Sequence, residues 1–449
     1  MPRFSLPGFE SVSPSRRDAL PSTDRRAVSV VVARAGSALL AALLVLFVVA
    51  APVAAQGEWP QLLGPSGDGH APATRTATEF GETQNVVWKT EIHGKGWSSP
   101  VIWRNQIWMG TADEDGKRFW GVCVDRETGA VVHDRLLFEE AEPKFCHDMN
   151  SYASPTPVIE EGFVYLHFGV YGTACLRTDD GTVVWTRRDL PCDHFRGPGS
   201  SPTLWNDLLI LHYDGFDYQY AIALDKRTGA TVWRNDREID YGTDNGDVMK
   251  AYNTPTVIRV DGRDLLISAT SKACLALDPA TGTEVWRLRY PEFSSTGRPF
   301  LAGDLLYVNS GFGTAQLFAV RPDGSGDITD SHVVWQVGKG IGSKPSQIAV
   351  DGRIYSIHDQ GVLTMLDAAT GEEQWRKRLD GELFSSSPIY AGGYLYFCSH
   401  EGPVTVVRPG AEPEIVSVNR FDDGFMATPA VAGESLFLRS RKALYRIDP

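Results

Sequence analysis

The residues best equipped for chemistry lie in two loops of nearly the same wording. "KFCHDMNSYASPTP" (144–157) sets Cys146, His147, Asp148 and Asn150 before a Ser-Pro-Thr-Pro run, and "PCDHFRGPGSSPT" (191–203) sets Cys192, Asp193, His194 and Arg196 before another Ser-Pro. Two thiols with two imidazoles suit a tetrahedral zinc or copper site. Two thiols alone suit a disulfide. Cys146 and Cys192 stand 11 and 10 residues before Pro157 and Pro202, the same place in successive units of the chain. In an oxidising compartment a bridge is the favoured reading, closing a loop of about 46 residues and adding roughly 4 kcal/mol on the chain-entropy account. Metal and free thiols stay as alternatives. On the bridge reading His147, Asp148 and Asn150, with His194 and Arg196, are held at a recognition face. Cys123, Cys175, Cys274 and Cys398 lie among apolar strand residues and read as small core side chains.

Further polar candidates occupy the loops between repeats. A proline opens each unit, at 100, 157, 202, 255, 299, 345, 388 and 429, and six of the eight follow Ser or Thr. Arg298 and Lys344 hold that place in the fifth and sixth units. Both suit an anionic ligand, or else each neutralises a neighbouring Asp or Glu. Lys250 and Asn253 end "DYGTDNGDVMKAYN" (240–253), where oxygen groups are dense enough for calcium but do not follow the EF-hand spacing. An ordinary polar loop is favoured there. His358 and His400 stand at Asp-Gln-Gly and Glu-Gly turns, where polar residues are needed anyway, and are candidates for ligand contact as well. No Gly-x-Ser-x-Gly, P-loop or His-Glu-x-x-His pattern occurs, so no catalytic residue and no metal ligand is nominated.

The elements that must position these groups are announced by internal repetition. "LDKRTGATVW" (224–233), "LDPATGTEVW" (277–286) and "LDAATGEEQW" (366–375) are one motif three times, with looser copies at 124–133, at 176–185 and from Arg321 to Trp335. Each copy reads as a tight hairpin between strands three and four: Asp bonds its own turn backbone, and Gly takes the positive φ. The Trp can wedge between neighbours with its N–H on a loop carbonyl. The spacing of the prolines, 41 to 57 residues, gives eight units of blade size. The expected fold is therefore all-β, an eight-bladed propeller of four-stranded antiparallel blades. The eighth unit lacks a fourth strand, and "NVVWKTEI" (85–92) is an orphan one, so the N-terminal strand is expected to complete the last blade. Weaker blade contacts are expected where His133 replaces the Trp and where "RPGAEPEIVSVNR" has lost the motif.

On these motifs the chain, over residues 85–449, resembles the pyrroloquinoline-quinone-like repeat β-propellers, and "EWPQLLGPSGDG" (58–69) is similar to the lead-in of exported bacterial members. The resemblance implies one of two roles. Some members are quinone-dependent oxidoreductases of alcohols or sugars, with the quinone and calcium at the propeller axis; others are scaffolds, among them the propeller subunit of the outer-membrane barrel assembly machinery, which has a similar size. No two cysteines are neighbours and no Cys-x-x-Cys-His occurs, which departs from the dehydrogenases. The favoured expectation is a non-catalytic scaffold without cofactor, binding an envelope protein, a peptide or a carbohydrate on its loop-rich face. The quinone with calcium is the alternative.

Residues 35–55 form an uncharged apolar run behind five arginines and end in small residues, as an export signal does. The expected division is an export signal or N-terminal anchor over 1–55, a lead-in over 56–84 and the propeller over 85–449. The protein is expected in the periplasm or outside the cell, touching a membrane only if the apolar run is retained. Gln56 follows the run, so a lipid-acceptor Cys is missing. The whole chain carries −13; residues 1–55 hold six Arg and three Asp or Glu, leaving −16 for the rest. Such an acidic body, without a basic run, repels nucleic acid.

Overall fold

The computed structural model describes residues 57–449, and the expected export segment lies outside them. Eight sheets follow one another along the chain, seven of them with their strands in sequence order. The first blade runs from Val101–Trp103 to Val131–Glu139, the third from Thr203–Trp205 to Thr231–Asp236, and the seventh from Ile389–Ala391 to Glu414–Asn419. The eighth sheet takes its outer strand from the other end of the chain: Val86–Glu91 pairs with Ala443–Ile447 in the order Val86–Glu91, Ala443–Ile447, Ser435–Arg439, Ala430–Ala432. The fourth blade gains a fifth, short strand, Gly326–Asp327, parallel to Glu284–Arg289. The second and third strands of each blade are almost wholly buried while the fourth alternates, as Thr231–Asp236 does. Each apolar face therefore packs on a neighbouring blade, and one core cluster joins Trp108 and Phe119 of blade 1 to Ile159 and Leu166 of blade 2.

The repeated motif acts at the blade junctions. Asp225 Oδ1 accepts the Thr228 hydroxyl (2.8 Å) and the N–H groups of Thr228 (2.8 Å) and Arg227 (3.1 Å), bonds that hold its carboxyl below the usual range. Gly229 then turns the chain at φ 73°. Five fourth-strand tryptophans reach the following blade: Trp88, Trp185, Trp233, Trp286 and Trp335 donate Nε1–H to the carbonyls of Arg126, Lys226, Pro279, Pro322 and Ala368, all at 2.9–3.0 Å. Four of these indoles lie against the hairpin glycine they dock on, so that a Cβ at Gly282 would meet the Trp233 ring at 2.5 Å. The glycine is needed twice, for its φ and for its missing side chain.

The two junctions that have no Trp at this place are filled by other means. His133 stacks on Trp108, ring centroids 5.5 Å apart, and Arg135 supplies the bond to the next hairpin through Asp180 O (2.8 Å). Between blades 7 and 8 the lead-in takes the place of the indole. Phe80 enters the core beside Phe421 and Tyr396, its N–H on Asn419 Oδ1 (2.9 Å), while Asn419 Nδ2 donates to Thr78 O (3.0 Å).

The rest of the lead-in runs inside the channel. The innermost strands present unpaired backbone edges to the axis, and such edges bind another strand readily. Trp59 exchanges two backbone hydrogen bonds with Ile102 of blade 1 (2.9 and 2.8 Å), Pro60 O accepts from Ile159 of blade 2 (2.9 Å), and Gly69 and Ala71 bracket Tyr390 of blade 7 (2.9 Å each). Trp59 is fully buried.

Candidate functional site

Where the loops before each first strand meet over the axis, they line a cavity of about 410 Å³. Its lower wall is a ring built from one residue per blade. Ser99 N–H donates to Thr156 Oγ1 (2.9 Å), Thr156 N–H to Ser201 Oγ (2.9 Å), and Ser201 N–H to Thr254 Oγ1 (3.0 Å). The series resumes with Arg298 N–H on Ser346 Oγ (2.9 Å), Ser346 on Ser387 (3.0 Å), Ser387 on Thr428 (3.1 Å), and closes with Thr428 N–H on Ser99 Oγ (2.9 Å). Seven hydroxyls thus each accept a neighbour's N–H, and the eighth place is held by a guanidinium.

The ring corrects the register expected for the sixth blade. Lys344 does not stand at the ring; Ser346 does, followed by Gln347 and the first strand Ile348–Val350. Pro345 lies before the ring position rather than after it. Lys344 lines the cavity above the ring, and its Nζ lies 3.7 Å from Asp359 Oδ2. Arg298 is buried and grips the lead-in: Nε donates to Thr256 Oγ1 (2.8 Å), Nη1 to Leu62 O (2.5 Å) and Nη2 to Gln61 Oε1 (3.0 Å). Burial lowers its pKa to about 10, so it stays charged at neutral pH. Leu62 forms part of the cavity floor.

The upper wall carries several of the residues expected there. His147, Asn150, Arg196 and Lys250 all line the cavity. Lys250 Nζ is buried against Asp247 Oδ1 (2.5 Å), with Arg196 Nε 4.0 Å from the same oxygen. Burial lowers the Lys250 pKa, and the Asp247 bond opposes that shift. Asn150 ties the first of the two cysteine loops to the second, donating to Arg196 O (2.8 Å) and Pro198 O (3.2 Å). Trp97, Tyr252, Phe293 and Phe312 complete the wall, and the Trp97 indole N–H has no partner among the described residues.

Other expected residues are placed elsewhere. Asp148 is exposed, offering its carbonyl to Lys95 Nζ (3.2 Å). His194 is buried, accepting Val170 N–H on Nε2 (3.1 Å), and burial lowers its pKa to about 4. Asn253 is buried on Gly297 O (2.5 Å), and His358 Nδ1 receives Gln360 N–H (3.2 Å) within its own turn. His400 stands behind the wall, its Nε2 2.8 Å from the hydroxyl of Ser385, which does line the cavity.

The expected clamp is not formed: Cys146 and Cys192 are both free thiols. The same place in the repeat has put them at different depths. Cys146 is half-buried with Sγ 3.7 Å from Arg196 O, whereas Cys192 is fully buried with Sγ 3.6 Å from His194 Nδ1. Burial raises the Cys146 pKa to about 11 and that of Cys192 well above its ordinary value. Hydrogen bonds through Asn150 and Arg196 join the two loops instead.

The donor set does not fit calcium, which takes about six to eight oxygen ligands including carboxylates. Asp247 is the one carboxylate among the lining residues, and it is already paired with Lys250. Among the described residues no cluster of three His, Cys, Asp or Glu could hold a metal ion. The 240–253 loop uses Asp240 to cap Gly242 N–H (2.9 Å) and Asn245 to cap the short helix Gly246–Met249. Sequence reasoning missed the hydroxyl ring, Leu62 and Phe293. The Ser-Pro and Thr-Pro pairs were the visible trace of the ring.

Comparison with known proteins agrees with this architecture. Residues 76–326 and 219–449 match the family described as outer membrane protein assembly factor BamB. No curated protein is matched at the level of sequence. Among solved structures the chain is similar to BamB from Moraxella catarrhalis, at 14% identity and TM-score 0.58, over 81% of this chain and 99% of that one. It is also similar to a europium-containing methanol dehydrogenase, at 10% identity and TM-score 0.63, over 85% and 89%. A third likeness is to the quinohemoprotein alcohol dehydrogenase from Comamonas testosteroni, at 12% and 0.64, over 87% and 80%. At such identities the likeness is one of fold.

Proposed function

The chain belongs to the family of outer membrane protein assembly factor BamB, and from that premise we propose an exported, non-catalytic propeller scaffold whose loop-rich face binds a protein, peptide or carbohydrate. The division into an export segment over 1–55, a lead-in over 56–84 and a propeller over 85–449 belongs to this proposal. The observation that carries it is the mouth of the axial cavity. Phe145 is 63% exposed, Phe312 58% and Met149 47%, in loops that open on the same face as Arg196 and Lys250. Large apolar side chains rimmed by charge at a concave mouth are a recognition surface. No helix among the described residues is long and apolar enough to cross a membrane.

A photo-crosslinking residue placed at Phe312, with a second protein carrying it at the exposed outer-strand residue Val232, tests the reading in envelope preparations. Adducts are expected from 312 and not from 232; adducts from 232 alone, or from neither, overturn it. The oxidoreductase reading draws on the dehydrogenase-like fold and on four cavity cations that would meet an acidic quinone. Dye reduction by an alcohol or a sugar after adding the quinone and calcium would establish it in place of the scaffold.

A further inference from the structure

The hydroxyl ring leaves one thing unmatched. Each of the seven side-chain oxygens is engaged as an acceptor, and among the described residues none of their protons has an acceptor of its own. A hydroxyl carries one donor and two acceptor sites, so an engaged oxygen at a concave wall offers its proton to whatever fills the cavity. The floor is therefore a circle of donors. Its charge is only partly matched as well: Asp68 lies close enough to favour the charged form of Arg298 but accepts no bond from it. Arg298 makes all its bonds to neutral groups: the Thr256 hydroxyl, the Leu62 carbonyl and the Gln61 amide. A second buried arginine, Arg439, does the same, donating to Ser98 O (2.7 Å) beside the ring and to Gly110 O (2.9 Å). Burial lowers the pKa of Arg439 to about 9, so it too is cationic at neutral pH.

A buried charge to which no carboxylate is bonded is costly, and a fixed array of donors without acceptors adds to that cost. A negatively charged oxygen ligand relieves both. The walls point the same way, since Arg196, Lys250 and Lys344 line the cavity with Asp247 the only carboxylate among them. In a protein of net charge −13 this is a local reversal of sign that focuses potential into the cavity.

We propose that the axial cavity is an anion site, taking a carboxylate of its ligand onto the hydroxyl ring and Arg298. This rests on the recognition reading of the same face and narrows it from protein, peptide or carbohydrate to a ligand that brings an acid group. A carboxylate matches the ring in particular, because its two oxygens accept from several donors at once and a guanidinium meets it in its own plane. The aromatic wall above takes the apolar remainder of the ligand. The acid group could come from an acidic peptide segment or from a free organic acid.

Titration calorimetry on the full chain with succinate, a Glu-rich peptide and its Gln-for-Glu amide tests the site. Heat from the Glu peptide alone assigns an acidic segment, heat from succinate assigns a free acid, and the amide gives none. Arg298→Gln weakens binding about tenfold or more, the effect of losing a charged donor at a desolvated site. Because that change also loosens the lead-in, Lys344→Gln serves as a second variant that leaves the ring intact; a weakening of about two- to fivefold with a shallower salt dependence is expected. Silence from both acidic probes, equal heat from the amide, or unaltered binding in both variants overturns the site. Adducts at position 312 with no carboxylate heat leave the recognition face standing without the anion site. Carboxylate heat without adducts does the reverse.

Discussion

Two rings hold the eight blades together, one at the docking indoles and one at the axis, and they close the circle by different physics. The outer ring is a series of tryptophans with their N–H groups on carbonyls of the next hairpin, four of them lying against its glycine. It works by filling volume, and it tolerates gaps: His133 and the lead-in occupy two of its places. The inner ring works by direction, each backbone N–H reaching the hydroxyl of the next blade. It tolerates a single exchange, at Arg298, and that exchange changes its charge. Volume can be supplied by many side chains, whereas a circular chain of hydrogen bonds requires one group at one height in every blade.

Acid should have the largest effect of all, through buried histidines that belong to neither ring. The docking indoles do not titrate, but His167, His194, His212 and His400 are buried, and burial lowers their pKa from 6.5 to about 3, about 4, well below 6.5 and about 4 in turn. The unfolded chain takes up protons below about 6.5 while the folded one refuses them, so the stability these residues confer is complete above that pH. It falls as the pH drops, by up to about 1.4 kcal/mol per pH unit for each histidine, and levels off for His194 and His400 below about 4. Thermal melts at pH 7, 6 and 5 should show a steepening loss. A melting temperature that stays flat across that range would show that burial does not hold these histidines neutral.

Next in size is the outer ring itself. Trp233→Ala should cost about 3–5 kcal/mol in denaturant unfolding, the range for deleting a buried indole. Gly282→Ala should be destabilising as well, through its φ of 71° and the clash with that indole, and a cycle with Trp233→Ala separates the two causes. If the glycine substitution costs as much without the indole as with it, docking plays no part in the demand for glycine. The smallest effect is expected at the inner ring. Thr254→Val keeps the volume but strands the Ser201 N–H, costing about 1–2 kcal/mol. A loss as large as that of Trp233→Ala would make the inner ring the principal closure.

The blades were legible because the Asp-x-x-Thr-Gly hairpin and its Trp spell both a turn and a junction in side chains. The ring left only a trace, the Ser-Pro and Thr-Pro pairs, and that trace misled in the sixth blade, where Pro345 precedes Ser346 and imitates the pattern two residues early. The channel-filling path of the lead-in was not legible. Trp59 and Gly69 are held by backbone bonds to strand edges, which leave no signature in residue type. The thiol pair failed as a clamp for a related reason. A shared place in the repeat fixes position along a blade, but the depth of each loop depends on what packs over it, such as His194 beside Cys192.

The lead-in also sets an order of events. Its contacts join His70 to Ala349, Thr76 to Tyr396 and Glu82 to Tyr445, partners about three hundred residues apart in sequence. Its first residues can meet blades 1 and 2 early, through Trp59 and Pro60, but the stretch from His70 to Glu82 has no partners until the sixth, seventh and eighth blades exist. Non-local pairing of this kind slows folding, because the entropy of closing the loop must be met before the contacts form. The circle of blades can thus close only when Ala443–Ile447, the last strand made, is there to receive Val86–Glu91, the first.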